Sequence, residues 1–260
     1  MSDDLVVRER RGTTLIITLN RPSKLNALST AMLQELDAAL DEAEDNQDVR
    51  ALVVTGAGDR AFVAGADIGE NAHLDHTGFV AYQRRSRDLF SRIDGFDTPV
   101  IGAINGYAFG GGFEIALCCD VLAASPSAVF ALPEGLLGLC PGGGATQRLT
   151  RAVGPFVAND VLLSARRLTA NEAHRMGLVA EISGSESVLD AALAKAEAIA
   201  RIAPIAARTM MELVRTADDT DLERGLDDEQ AALARLRQTA DAEEGIRAFV
   251  EKRDPGFRGV

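Results

Sequence analysis

Short apolar runs alternate with amphipathic stretches over the first two thirds of the chain. Thr13–Leu19 (TTLIITL) is β-branched and apolar and predicts a strand. Ser29 then stands as an N-cap before a helix carrying Met32, Leu33, Leu36 and Leu40 on one face. Ala51–Thr55 and Pro99–Ile104 are wholly apolar, as strands are when a sheet is covered on both sides. Gly56–Ile68 is predicted as a loop rich in glycine and alanine, and Phe79–Ile93 as a helix. Phe113–Cys119 predicts a short helix, Val121–Ala124 a strand, and Gly142–Val153 a further helix. From Asn171 the periodicity is helical almost to the end, over Asn171–Met176, Val188–Ile202, Ala206–Thr216, Asp221–Thr239 and Ala242–Lys252. Strand–helix alternation followed by a helical tail predicts an α/β layered core. The tail's apolar residues Leu222, Leu226, Leu233 and Leu236 need a surface to dock on, either the core or another subunit.

Composition narrows the function classes. The chain has 260 residues, 47% hydrophobic and 25% charged, enough for a sizeable core. Its formal net charge of -12 repels phosphate backbones, which disfavours nucleic acid as a partner. No apolar stretch reaches transmembrane length, and the N-terminus has early acids and no long apolar run, so neither a membrane span nor a secretory signal is expected. Cys118, Cys119 and Cys140 lack metal spacing and are expected to be buried free thiols in a reducing compartment, the cytoplasm.

The chemistry concentrates in two glycine-rich stretches that each hold a glutamate. Gly110-Gly111-Gly112 follow a buried strand and open a helix, where unpartnered amides can hold an oxyanion; the plainer reading is a tight strand-to-helix turn. Glu114 falls in the first turn of that helix among Phe113, Ile115, Ala116 and Leu117. Complementing the helix dipole is its plainer role, but a carboxyl in apolar surroundings suits proton transfer. Glu134 is the only charged residue from Val121 to Gln147. Ala61–Ile68 offers small side chains beside which a ligand can approach the backbone. Other motifs fall away. Gly56–Ala61 matches a dinucleotide fingerprint, but a glycine-broken loop follows where a helix must open. No phosphate-binding P-loop and no G-x-S-x-G elbow occurs, and His73, His76 and His174 lack metal spacing, so no metal site is expected.

Asn20-Arg21-Pro22, Asn26-Ala27-Leu28, Ala64–Ile68, Asn105–Gly112, Cys119-Asp120 and Pro133-Glu134 fall in order along the chain, and Ala248–Arg253 completes the set. This ordered set resembles the enoyl-CoA hydratase/isomerase (crotonase) family over roughly residues 5 to 255. The resemblance implies a spiral of ββα units over residues 1–195 and a helical C-terminal region, 196–260, that builds homotrimers or homohexamers. It implies an acyl-CoA thioester substrate, no separate cofactor, and an oxyanion hole formed by the amides of Ala66 and Gly111. Glu114 and Glu134 would be the acid–base pair of a 2-enoyl-CoA hydratase, with Glu134 serving Cα and Glu114 the water. Lys24, Leu25, Ala64, Gly65, Asp67, Ile68, Gly110, Pro133, Phe249 and Lys252 would contact the substrate or its CoA moiety, the last two from a neighbouring subunit. An isomerase or lyase of the same family is the nearest alternative, and an RNA-binding role or a silent scaffold the more distant ones.

Overall fold

The computed structural model describes residues 4–260. An antiparallel hairpin of β1 (Val6–Arg11) and β2 (Thr14–Leu19) leads into α1 (Thr30–Glu44). Ser29 caps α1 as predicted, its side chain accepting a hydrogen bond from the Met32 amide. Three turns of a spiral follow. The first holds β3 (Ala51–Gly56), β4 (Ala61–Val63), α2 (Ile68–Asn71) and α3 (His76–Asp94). The second holds β5 (Val100–Ile104), β6 (Tyr107–Phe109) and α4 (Gly111–Ala116). The third holds β7 (Val121–Ala124), β8 (Val129–Ala131), a 3-10 segment over Pro133–Leu137, α5 (Ala145–Val153) and α6 (Pro155–Ser164). After β9 (Leu168–Thr169), α7 (Ala170–Arg175) and β10 (Glu181–Ile182) come four helices: α8 (Val188–Ala200), α9 (Pro204–Thr216), α10 (Leu222–Leu236) and α11 (Ala240–Glu251).

In each turn the first strand enters a six-stranded sheet, ordered β1-β2-β3-β5-β7-β10, and the second enters a four-stranded sheet, ordered β4-β6-β8-β9. Pairing is parallel except at β1–β2 and β8–β9. The wholly apolar strands are explained by burial on both faces. Ile16, Val53, Ile101 and Ala123 point toward Val188, Ala192 and Ala196 of α8, while Ile17, Leu52, Val54 and Ile104 face the main core. The expected spiral of ββα units is therefore present, and α8, which crosses residues 195 and 196, covers the outer face of its large sheet.

Several residues of the ordered motif set are corner pieces. The Asn105 carboxamide donates to the carbonyls of Gly56 and Gly58 and accepts from the Gly56 amide, pinning the passage between sheets. A Cβ at Gly106 would lie 2.3 Å from the Arg60 carbonyl oxygen, so that corner closes only on glycine. Asn26, fully buried, donates to the carbonyls of Ala57 and Ala61 and accepts from the Arg21 amide. Asp120 accepts from the Val100 amide and pairs with Arg215, tying α9 to the core.

Four readings are corrected. The loop expected over Gly56–Ile68 contains β4, and β6 and β8 likewise went unpredicted; each has three residues, too few to display a period. β1 is buried at one end only and reads as charged. The helix expected from Gly142 begins at Ala145, because Gly144 sits at φ 113. Of the cysteines, all free, Cys118 is buried, Cys119 half-buried and Cys140 exposed. Cys140 ends a stretch that turns outward, in which Leu136 is 77% exposed and Leu137 and Leu139 are exposed as well.

Candidate active site

The site lies beyond the carboxyl ends of β4, β6 and β8, the parallel strands of the small sheet, which is where an open parallel sheet leaves a crevice. Each strand delivers one piece of it. After β4 the segment 64–67 forms a single parallel bridge between Ala66 and Leu28. Leu28 donates to the Gly65 carbonyl (2.8 Å) and accepts from the Asp67 amide (2.9 Å), so the Ala66 N–H is turned to the other side. The Leu28 carbonyl is fixed further by the buried Tyr82 hydroxyl at 2.9 Å. Upstream, the Ala64 amide donates to the Leu25 carbonyl (3.0 Å).

After β6, Gly110 adopts φ 52 and ψ -123, and α4 begins at Gly111. Gly65, at φ 103, and Gly110 are the residues preceding Ala66 and Gly111. In both cases a left-handed backbone, open to glycine, aims the next amide outward. The two loops touch: a Cβ on Gly110 would lie 3.7 Å from the Gly65 Cα, and one on Gly65 3.3 Å from the Phe109 carbonyl oxygen. A Cβ on Gly112 would lie 2.1 Å from the Val63 carbonyl oxygen, which seats the start of α4 against the end of β4. Among the described residues neither the Ala66 nor the Gly111 amide has a protein acceptor. Two adjacent, unspent N–H groups can hold an oxyanion.

The carboxyls come from the second and third turns. Glu114 is 5% exposed. Its Oε1 accepts from the amides of Gly143 (2.7 Å) and Ala145 (3.1 Å). Burial pushes its carboxyl above the ordinary range, and those amides with the Arg148 charge pull back without cancelling the effect. Glu134 sits at the start of the 3-10 segment, half-buried, with Oε2 buried and lacking any hydrogen-bond partner. Burial first, and then the Glu114 charge, push its carboxyl up to about 7. A pair of this kind can hold one proton between pH values where a free carboxyl would be empty.

Both glutamates line one cavity of about 420 Å³. Ala64, Gly65, Ala66, Ile68, Gly110, Gly111 and Pro133 line it too, so most of the residues picked out in the sequence converge. Five do not line it. Asp67 is held below the ordinary carboxylate range by its ion pair with Arg21 and caps α2, accepting from the Glu70 amide; it shapes the loop from behind. Leu25 contributes its carbonyl to that loop, with Lys24 exposed beside it. Phe249, 85% exposed, projects from α11, and the exposed Lys252 follows just beyond its end. The cavity's apolar wall includes Leu28, Phe79, Tyr82 and Phe90, and the amides of Gly143 and Ala145 went unassigned in the sequence. The glycine run at 142–144 was the available signal for the latter. Among the described residues no group of three or more His, Cys, Asp or Glu side chains could hold a metal ion, and no helix is long and apolar enough to cross a membrane.

A two-sheet ββα spiral with its pocket at the small sheet's strand ends defines the class as crotonase-like. The comparisons agree. An enoyl-CoA hydratase/isomerase family model matches residues 9–260. The chain is 40% identical to a 2,3-dehydroadipyl-CoA hydratase of Escherichia coli, covering 100% of both chains. It is 37% identical to a short-chain-enoyl-CoA hydratase of Clostridium acetobutylicum, over 97% of each. A solved enoyl-CoA hydratase from Bacillus anthracis superposes with a TM-score of 0.95 at 36% identity, covering 99% of this chain and 100% of that one. The chain belongs to the enoyl-CoA hydratase/isomerase family and is an enzyme of that family.

Proposed function

We propose that the chain is an enoyl-CoA hydratase that adds water across the 2,3 double bond of a trans-2-enoyl-CoA to give the 3-hydroxyacyl thioester. One observation carries the reading: two carboxyls of raised pKa line the same cavity as two unspent amides on touching glycine loops. The thioester carbonyl accepts from the Ala66 and Gly111 N–H groups, which draws electron density from Cβ. A water lies between the carboxyls. Glu114, whose Oε1 is committed to Gly143 and Ala145, offers Oε2 to that water and removes its proton as the oxygen bonds to Cβ. The π pair moves to Cα, giving an enolate held by the two amides. Glu134 then delivers its proton to Cα. Hydrogen bonds alone stabilise the enolate, so the chemistry calls for no metal and no redox cofactor.

CoA then runs along the 64–68 loop, past Leu25 and the exposed Lys24. Phe249 and Lys252 reach CoA only from a neighbouring subunit. A trimeric or hexameric assembly through residues 196–260, beside a spiral over 1–195, is supported by Leu222 (76% exposed), Leu226 and Leu233, an uncovered apolar row on α10. The cytoplasm is the compartment we assign, on the free cysteines.

Incubation with trans-2-enoyl-CoA thioesters of increasing chain length tests the activity. The expected outcome is loss of the conjugated thioester absorbance together with a mass gain of one water. A product of unchanged mass with a displaced double bond would replace the hydratase reading with an isomerase.

A further inference from the structure

Glu114 is held by a turn that has little to hold it in place. Residues 142–144 are all glycine; a side chain at Gly143 would strike the Phe90 ring, and Gly144 holds φ 113, a conformation that suits glycine. A Cβ on Gly143 would lie 2.4 Å from Phe90 and 2.8 Å from the Glu114 Oε2, and one on Gly142 would lie 2.3 Å from the Gln83 Oε1. Such a turn is free to adopt many conformations unless something outside it fixes them. Arg148, one turn into α5, is that constraint. Its Nη1 donates to the Gly143 carbonyl at 2.9 Å and its Nη2 to Asp94 Oδ2 at 3.0 Å. Asp94 is the last residue of α3. The guanidinium lies so close over the turn that a Cβ on Gly144 would be 2.1 Å from Nη1.

Resting on the hydratase reading, we propose that Arg148, anchored by Asp94, is a positioning residue: it fixes the peptide of Gly143, and through the Gly143 and Ala145 amides it fixes the Glu114 carboxyl. A stability role explains the arrangement poorly. The Asp94 side chain is 43% exposed, and ion pairs of that kind contribute little. The planar fork matters more, because it addresses a carbonyl and a carboxylate at once, which a lysine ammonium on a flexible stem does not reproduce. The titratable and charged groups that face Glu114 are Arg148 on α5, Cys118 just beyond α4 and Glu134 on the 3-10 segment, with Asp94 on α3 behind Arg148. Arg148 is the one cation among them, and its charge favours the ionised Glu114.

The test compares wild type, Arg148→Met, Arg148→Lys, Asp94→Asn and Glu114→Gln with crotonyl-CoA as probe. It adds carboxyl-carbon NMR titration of Glu114, assigned by its loss in Glu114→Gln. Arg148→Met should lower kcat roughly 10- to 100-fold, the scale set by small misplacements of a reacting group, with KM changed less than about twofold. The acidic limb of its pH profile and the Glu114 titration should both move to higher pH. Arg148→Lys should keep the limb near wild type while losing part of kcat. Arg148→Met combined with Glu114→Gln should be no slower than Glu114→Gln alone. Unchanged kcat, or an unmoved Glu114 titration in a folded Arg148→Met or Asp94→Asn variant, would overturn the proposal. A wild type that fails to hydrate would overturn the hydratase reading instead, and the NMR titration would still decide the positioning role.

Discussion

Glu134→Gln lowers the rate of hydration by about 10²–10⁴-fold, the usual cost of losing a general acid, while the fold survives. Survival follows from the site: Glu134 Oε2 has no hydrogen-bond partner to lose, and glutamine has nearly the same shape. The loss is large because glutamine has no proton to give to Cα. The pH dependence makes the argument sharper. With its carboxyl raised to about 7, Glu134 is protonated below that pH and empties as the pH rises through it. Wild-type activity should therefore decline on the alkaline side from about pH 7, and Glu134→Gln should lose that decline along with the activity. Glu114→Gln should be comparably slow, and the limb it removes should be the acidic one, because Glu114 acts as the ionised partner. Steady-state rates across pH with crotonyl-CoA check both variants. A Glu134→Gln enzyme at full rate would take that side chain out of the chemistry.

Gly110→Ala should cost about 10²–10³ in kcat, the range for losing one oxyanion donor. The dihedrals φ 52, ψ -123 belong to glycine, and an alanine there carries strain of about 1–3 kcal/mol. Its Cβ would also lie 2.9 Å from the Glu134 Oε1. Relaxing either contact rotates the 110–111 peptide and swings the Gly111 N–H off target. The strain alone would lower the unfolding midpoint by roughly 2–12 °C in a chain of this size, so thermal unfolding and kcat measured together separate mis-aim from unfolding. A variant with wild-type kcat would show that the Gly111 amide is not a donor.

Much of this site was legible in the sequence, because its parts are chemically conspicuous. An isolated Glu134 in an apolar stretch and a Glu114 behind three glycines were sufficient to predict a carboxyl pair. The apolar strands β2, β3 and β5 declared a sheet covered on both faces. What stayed hidden depends on distant contacts. β4, β6 and β8, whose ends carry the site, are too short to show a period, and their pairing is set by corners such as Asn105 and Gly106. Arg148 reads as one more helical cation until Gly143 is seen beneath it. Leu137 and Leu139 are exposed yet line the cavity, a placement that an apolar pattern alone does not reveal.

The most direct test of the central claim is a crystal structure of the enzyme with a bound 3-hydroxyacyl-CoA. The account predicts the thioester oxygen within roughly 2.7–3.1 Å of both the Ala66 and Gly111 nitrogens, and the 3-hydroxyl seated between the carboxyls of Glu114 and Glu134. A thioester bound away from those two amides, or a hydroxyl touching neither glutamate, would contradict it.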